Sequence, residues 1–166
     1  QVGAAVKHYP GLGAVSGNTD FTTEGILDTT TTLGGAEAGA FDQAITKADP
    51  AMLMMSLATY QSIDPNNPAV FSSTIIDGHI RNALKYTGVV ISDSMSAEAL
   101  SSYDVSQLGV KLVEAGGDMS CIGQTDYVKP IVDGLNERAK SDPAFASKVT
   151  AAATRVMALK IKMGLA

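Results

Sequence analysis

Four short apolar runs set what this chain can fold into: 2–6, 51–57, 88–91 and 118–122. Their apolar residues are continuous instead of alternating with polar ones. That is the pattern of parallel strands covered on both faces. Helix-like segments separate them. Residues 72–84 carry Ile75, Ile76, Ile80 and Leu84 on one stripe, with Ser72 or Ser73 as the expected N-cap. A second helix is expected over 105–115, closed by Gly116-Gly117. Two more are expected over 127–139 and 145–163, the last followed by Gly164. Thr29 to Thr32 reads as a polar loop. The alternation predicts an α/β fold with a parallel sheet and right-handed crossovers. A closed (β/α)8 barrel needs about 200–250 residues, whereas this chain has 166 and supplies four strands. Residues 1–166 are read as one domain: an open four-stranded sheet is possible, whereas a half barrel would leave two raw sheet edges.

Composition closes off several functions. The net charge of −5 gives no basic footprint for nucleic acid. No stretch reaches the roughly 18–20 apolar residues of a membrane span. No basic segment followed by an apolar core opens the chain, so no secretory leader is read there. Cys121 is the only cysteine, which excludes an internal disulfide; it is expected to be a small buried hydrophobe. The two histidines, His8 and His79, are far apart and argue against a zinc site. No metal or organic cofactor is expected.

In parallel α/β folds, reactive groups gather at the C-terminal ends of strands. Those ends are Lys7 and His8; Ser56 to Tyr60; Ser92, Asp93 and Ser94; and Gly123 and Gln124. Asp93 reads either as the cap of the next segment or as a carboxylate facing a pocket, a nucleophile or a general base. Lys7 and His8 are adjacent, and adjacent strand residues point to opposite faces, so both reach one pocket only if the strand is already ending. Gly11 and Gly13 lack the following Gly-Lys-Ser/Thr of a phosphate loop. Asp118 reads as structural, His79 as solvent-facing, and the seven methionines as core fillers.

Five segments, in order, resemble glycoside hydrolase family 3, in its β-N-acetylhexosaminidase-like branch. "KHYPGLG" with its polar tail is similar to the family signature Lys-His-Phe/Ile-Pro-Gly-His/Leu-Gly, four residues, then Asp-Ser/Thr-His. "GVVISDSM" resembles its nucleophile strand, and "PAVFSSTIIDGHIRNALKYTG" the helix before it. "AGGDMSCIG" is similar to the last barrel strand and "RVMALKIKMGL" to the closing helix. The resemblance implies four parallel βα units equivalent to the second half of a (β/α)8 barrel. It implies Asp93 as nucleophile, Lys7 and His8 as the pair that grips sugar hydroxyls, and a flap carrying the proton donor.

The flap departs from the pattern. Asn18-Thr19-Asp20 stands where the family has Asp-Ser/Thr-His, so Asp20 occupies the acid/base position. Leu57 stands near a position where many relatives have a histidine. The implied activity is that of a retaining exo-acting β-glycosidase on a carbohydrate substrate, inactive as an isolated half. The implied partner is the other half of the barrel, or a second copy covering the apolar surface. Two other readings stand beside it: a sugar-binding relative that has lost the acid, and a Schiff-base lyase using Lys7. The cell envelope or secretion is favoured over the cytoplasm.

Overall fold

The computed structural model describes residues 2–24 and 26–166. Four parallel strands form the main sheet: β1 (Ala5–Tyr9), β3 (Met52–Met55), β6 (Val89–Ser94) and β7 (Met119–Cys121), in the order β1-β3-β6-β7. A smaller sheet joins β2 (Leu27–Asp28), β4 (Thr59–Tyr60) and β5 (Asp64–Pro68). The helices are α1 (Ala36–Ala48), a helix over Thr74–Ala83, α2 (Val105–Glu114), α3 (Val128–Ser141) and α4 (Pro143–Met163). This is the expected α/β class with a parallel four-stranded sheet.

The first strand lies three residues later than its apolar run suggests. Val2 is fully exposed, whereas Tyr9 is completely buried and pairs with Met55. Burial of the Tyr9 ring draws the strand through Lys7 and His8 to Pro10.

The sheet has two unlike faces. Leu53, Met55 and Val90 are fully buried, in one cluster with Ile75, Ile76, Ile80, Leu108 and Leu112 from the helices. Met54, Ile91 and Met119, joined in register across the sheet, are only half-buried, as is Met52. Of the strand methionines, Met55 alone is therefore a true core filler, and the two-sided burial expected of the strands is incomplete. Cys121, on the edge strand β7, is likewise half-exposed rather than buried.

The caps expected at Ser72 and Gly116 are present, and Asp142 adds one that was not expected. Ser72 Oγ accepts the Ile75 N–H at 3.2 Å. Gly116 closes α2 with φ +103°, and the Gly117 N–H donates to the Leu112 carbonyl. Asp142 accepts the Ala144 and Phe145 N–H groups to open α4. The 74–83 helix is wound with i→i−5 bonds, such as the Gly78 N–H to the Ser73 carbonyl. This wider turn corrects the reading of His79. A 3.6-residue wheel puts it in solvent, but its Nε2 lies 3.0 Å from Asp42 Oδ2 of α1. The Tyr9 hydroxyl donates to the other oxygen of Asp42 at 3.1 Å, so one carboxylate joins α1, the 74–83 helix and the end of β1.

Asp118 is structural, and more so than a loop residue. Its side chain is completely buried, paired with Arg81 and, at 2.8 Å, with Arg155, and it accepts the Val90 N–H at 2.8 Å. Arg81 also donates to the Tyr86 and Gly88 carbonyls. These contacts tie the N-terminal ends of β6 and β7 to α4.

Among the described residues no helix is long and apolar enough to cross a membrane. Val128, Val132, Met157 and Ile161 are each nearly half exposed or more, beside an apolar groove of about 400 Å³ between β7 and helices α2 to α4.

Candidate active site

At the C-terminal end of the main sheet lies an open polar cavity of about 420 Å³. Lys7, His8, Asn18, Thr19, Asp20 and Asp93 line it, with Leu12 and Gly17. All four residues singled out from the sequence thus share one cavity.

The parity objection to Lys7 and His8 is met without the strand ending early. Val6 pairs with Leu53 and Tyr9 with Met55, so β1 spends three steps where β3 spends two. That irregularity breaks strict alternation, as a bulge does. The Lys7–His8 and Tyr9–Pro10 peptides are both cis. His8 is half-buried, and its Nε2 lies 3.5 Å from Asp93 Oδ2. Lys7 is exposed, and among the described residues its ammonium has no hydrogen-bond or ion-pair partner.

Asp93 is held by its own strand end. Its Oδ1 accepts the Ser94 N–H at 2.9 Å, leaving Oδ2 toward His8. One-fifth of its side-chain surface is exposed. A helix-capping carboxylate would accept the N–H two or three residues on; Asp93 makes no such bond, and Asp104 is the residue that caps α2, through the Ser106 N–H.

The loop after β1 is anchored at both ends. Pro10 and Gly11 are buried, and the Tyr60 hydroxyl donates to the Gly11 carbonyl at 2.6 Å. Burial pushes the Tyr60 phenol up from its ordinary value, so it remains a donor near neutral pH. Gly11 has φ +130°, and a Cβ there would collide with Glu37 of α1, so glycine is required. Leu12 and Val15 pack on the main core. Further on, Thr19 is buried. The Thr19 and Asp20 carbonyls accept the Ala99 and Glu98 N–H groups at 3.1 and 3.3 Å. The tail is therefore docked on the segment after β6, beside Asp93. Asn18 Oδ1 accepts the Asp20 N–H at 2.9 Å, while the Asp20 carboxylate has no hydrogen-bond partner among the described residues.

Other strand ends contribute less. Ser56, Leu57, Ala58 and Tyr60 are buried and turn into the small sheet. Ser92 is buried and accepts the Cys121 N–H. Gly123 and Gln124 are exposed but lie outside the cavity lining. The sequence reading missed Leu12 and Gly17 as lining residues. Their only signal was membership of the loop that leads to Asp20. Among the described residues, no group of three His, Cys, Asp or Glu could hold a metal ion.

The family model described as glycosyl hydrolase family 3 N terminal domain matches residues 1–159. The chain belongs to this family. A β-N-acetylhexosaminidase from Beutenbergia cavernae is 37% identical with a TM-score of 0.87, over 94% of this chain and 46% of its own. A glycoside hydrolase family 3 β-N-acetylglucosaminidase from a Paenibacillus species is 26% identical with a TM-score of 0.86, over 99% of this chain and 32% of its own. An uncharacterized secreted glycosyl hydrolase of Arthroderma benhamiae is 33% identical over 123 residues, 70% of this chain and 33% of its own. This member of family 3 thus spans about a third of that curated relative and about half of the Beutenbergia chain. With these two structures it shares an α/β fold built on a parallel sheet.

Proposed function

We propose that this chain carries the nucleophile, the acid/base and one sugar grip of a retaining β-glycosidase acting on terminal β-linked sugars. The observation that supports it is the gathering of Lys7, His8, Asp20 and Asp93 around one polar cavity at the carboxyl end of a parallel sheet. The names of the Beutenbergia and Paenibacillus relatives favour an N-acetylated hexosamine as the sugar.

Asp93 attacks the anomeric carbon as the bond to the leaving oxygen breaks, and Asp20 gives that oxygen its proton. Water, deprotonated by Asp20, then displaces the Asp93 carboxylate, so two inversions retain the configuration. Lys7 and His8 hold vicinal hydroxyls, and His8 also lies next to the carboxylate it would orient. The half-exposed Met52, Met54 and Met119 face and the apolar groove beside β7 fit a chain completed by further βα units. The secreted relative from Arthroderma supports an extracytoplasmic setting.

A 2-fluoro or 5-fluoro β-glycoside incubated with the full-length protein should leave its glycosyl mass on the Asp93 peptide. A label on another peptide, or none with a substrate analogue that inactivates, would sink the mechanism.

The replacement of the family's Asp-Ser/Thr-His by Asn18-Thr19-Asp20 favours one other reading, a sugar-binding relative without turnover. Aryl β-glycosides separate the two. Their leaving groups need little protonation, so a catalytic protein lacking only an efficient acid still cleaves them, and a pure binder does not. Asp20→Asn should slow alkyl glycosides by about 10²–10⁴-fold and activated aryl glycosides far less. The Schiff-base reading has less support, because Lys7 is exposed in a polar cavity, and an amine nucleophile is usually activated by apolar burial.

A further inference from the structure

We propose that Phe21 is the platform on which the leaving group of the substrate rests, and so helps to determine specificity. This rests on the hydrolase reading above. Among the described residues Phe21 is the one exposed aromatic side chain, 81% accessible, while every other aromatic is buried or half-buried. An isolated exposed phenylalanine is unremarkable by itself; its setting is what matters here.

Phe21 is held on an ordered turn. Its N–H and that of Thr22 both donate to the Asn18 carbonyl at 3.0 Å. The preceding carbonyls of Thr19 and Asp20 are latched to the Ala99 and Glu98 N–H groups. The backbone that carries the ring is therefore fixed relative to the strand end that carries Asp93. Asn18, Thr19 and Asp20 line the cavity, and Phe21 follows them directly in the chain, exposed and outside that lining.

The chemistry sets which part of the substrate meets it. An acid at position 20 must touch the glycosidic oxygen, the atom that divides the sugar being attacked from the group that departs. Lys7, His8 and Asp93 occupy the side of the sugar. The residue beyond Asp20 then adjoins the departing group. A flat apolar ring suits either the C–H face of a second pyranose or an aryl group, by offset stacking.

The test compares two substrates of one sugar in the full-length protein: a 4-nitrophenyl β-glycoside and the corresponding β-glycosyl fluoride, whose leaving group is a single atom. Neither needs acid assistance, so Asp20 does not enter the ratio. For Phe21→Ala, kcat/KM for the aryl glycoside should fall about fivefold, the size of one aromatic contact, while the fluoride is unchanged. Phe21→Tyr should restore the aryl rate, and the melting temperature of Phe21→Ala should match the parent. Equal loss on both substrates, or loss on neither, overturns the platform. A lowered melting temperature also overturns it, because Phe21 is then covered by another part of the protein. If the parent cleaves neither substrate, the hydrolase reading itself falls, and this inference falls with it.

Discussion

Asp93 and Asp118 stand at opposite ends of neighbouring strands; each accepts a backbone N–H, but the rest of their surroundings differ. Asp118, before β7, is completely buried between Arg81 and Arg155 and accepts a backbone N–H as well. Asp93, at the end of β6, has one backbone donor, a histidine at 3.5 Å and open space beside it. In a parallel sheet the N-terminal ends are where the fold is fastened, and the carboxyl ends are where groups are left uncommitted. A carboxylate whose lone pairs are all engaged has little left for a substrate. One that is held but unfinished can react.

The largest break in this comparison is expected at Asp93. Asp93→Asn should lower turnover by the full-length protein on the order of 10³-fold or more, with an unchanged denaturation midpoint. Loss of stability instead would mean that Asp93 fastens the fold as Asp118 does.

Asp118→Ala should do the reverse. It leaves Arg81 and Arg155 facing each other without their anion, and removal of one partner of a buried ion pair costs about 3–5 kcal/mol. Urea denaturation should show that loss, with residual activity in the fraction that remains folded.

A smaller effect at the same end is expected from Gly116→Ala. Gly116 has φ +103°, and a Cβ would collide with Asp77 Oδ1. The strained backbone should cost about 1–3 kcal/mol, read as a lower melting temperature with kcat/KM unaltered.

The smallest effect is in acid. Asp28 is completely buried, and Asp64 lies in a similar hydrogen-bonded setting. Burial raises both carboxyls, but hydrogen bonds outweigh it and hold both below their ordinary value. They come from Thr31 and Thr30 at Asp28, and from Ser72, Asn67 and Asn66 at Asp64. Because the folded-state values lie below the unfolded ones, this stabilisation is complete above the ordinary carboxylate value of 3.8. It is lost as pH falls through the lowered values. Asp28→Asn should therefore flatten the acid limb of a stability–pH curve and leave the neutral region's slope unchanged.

Much of this was legible in the sequence, for physical reasons. Continuous apolar runs bounded by Gly and Ser report strands packed against helices, so β3, β6 and β7 fall close to where they are read. The start of β1 was not legible, because pairing is fixed by Tyr9, whose burial no local pattern reveals. The small sheet was invisible for a similar reason: two-residue bridges at Leu27–Asp28 and Thr59–Tyr60 have no period. The i→i−5 winding that turns His79 to Asp42 departs from the 3.6-residue wheel on which its exposure was judged. At the site, Lys7, His8 and Asp93 were legible as strand-end residues, and Asp20 only through the resemblance to the family signature. What brings Lys7 and His8 to the same cavity is a register shift between β1 and β3, and that is a property of two strands together.

The central claim is that Asp93 bonds to the anomeric carbon. It is tested most directly by Asp93→Gly in the full-length protein, assayed with an activated aryl β-glycoside and added azide. Azide entering the space left by the carboxylate attacks from that face, restores turnover and yields the α-glycosyl azide, recognisable by its anomeric proton coupling in NMR. A β-glycosyl azide, or no rescue from a variant shown to be folded, would contradict the assignment.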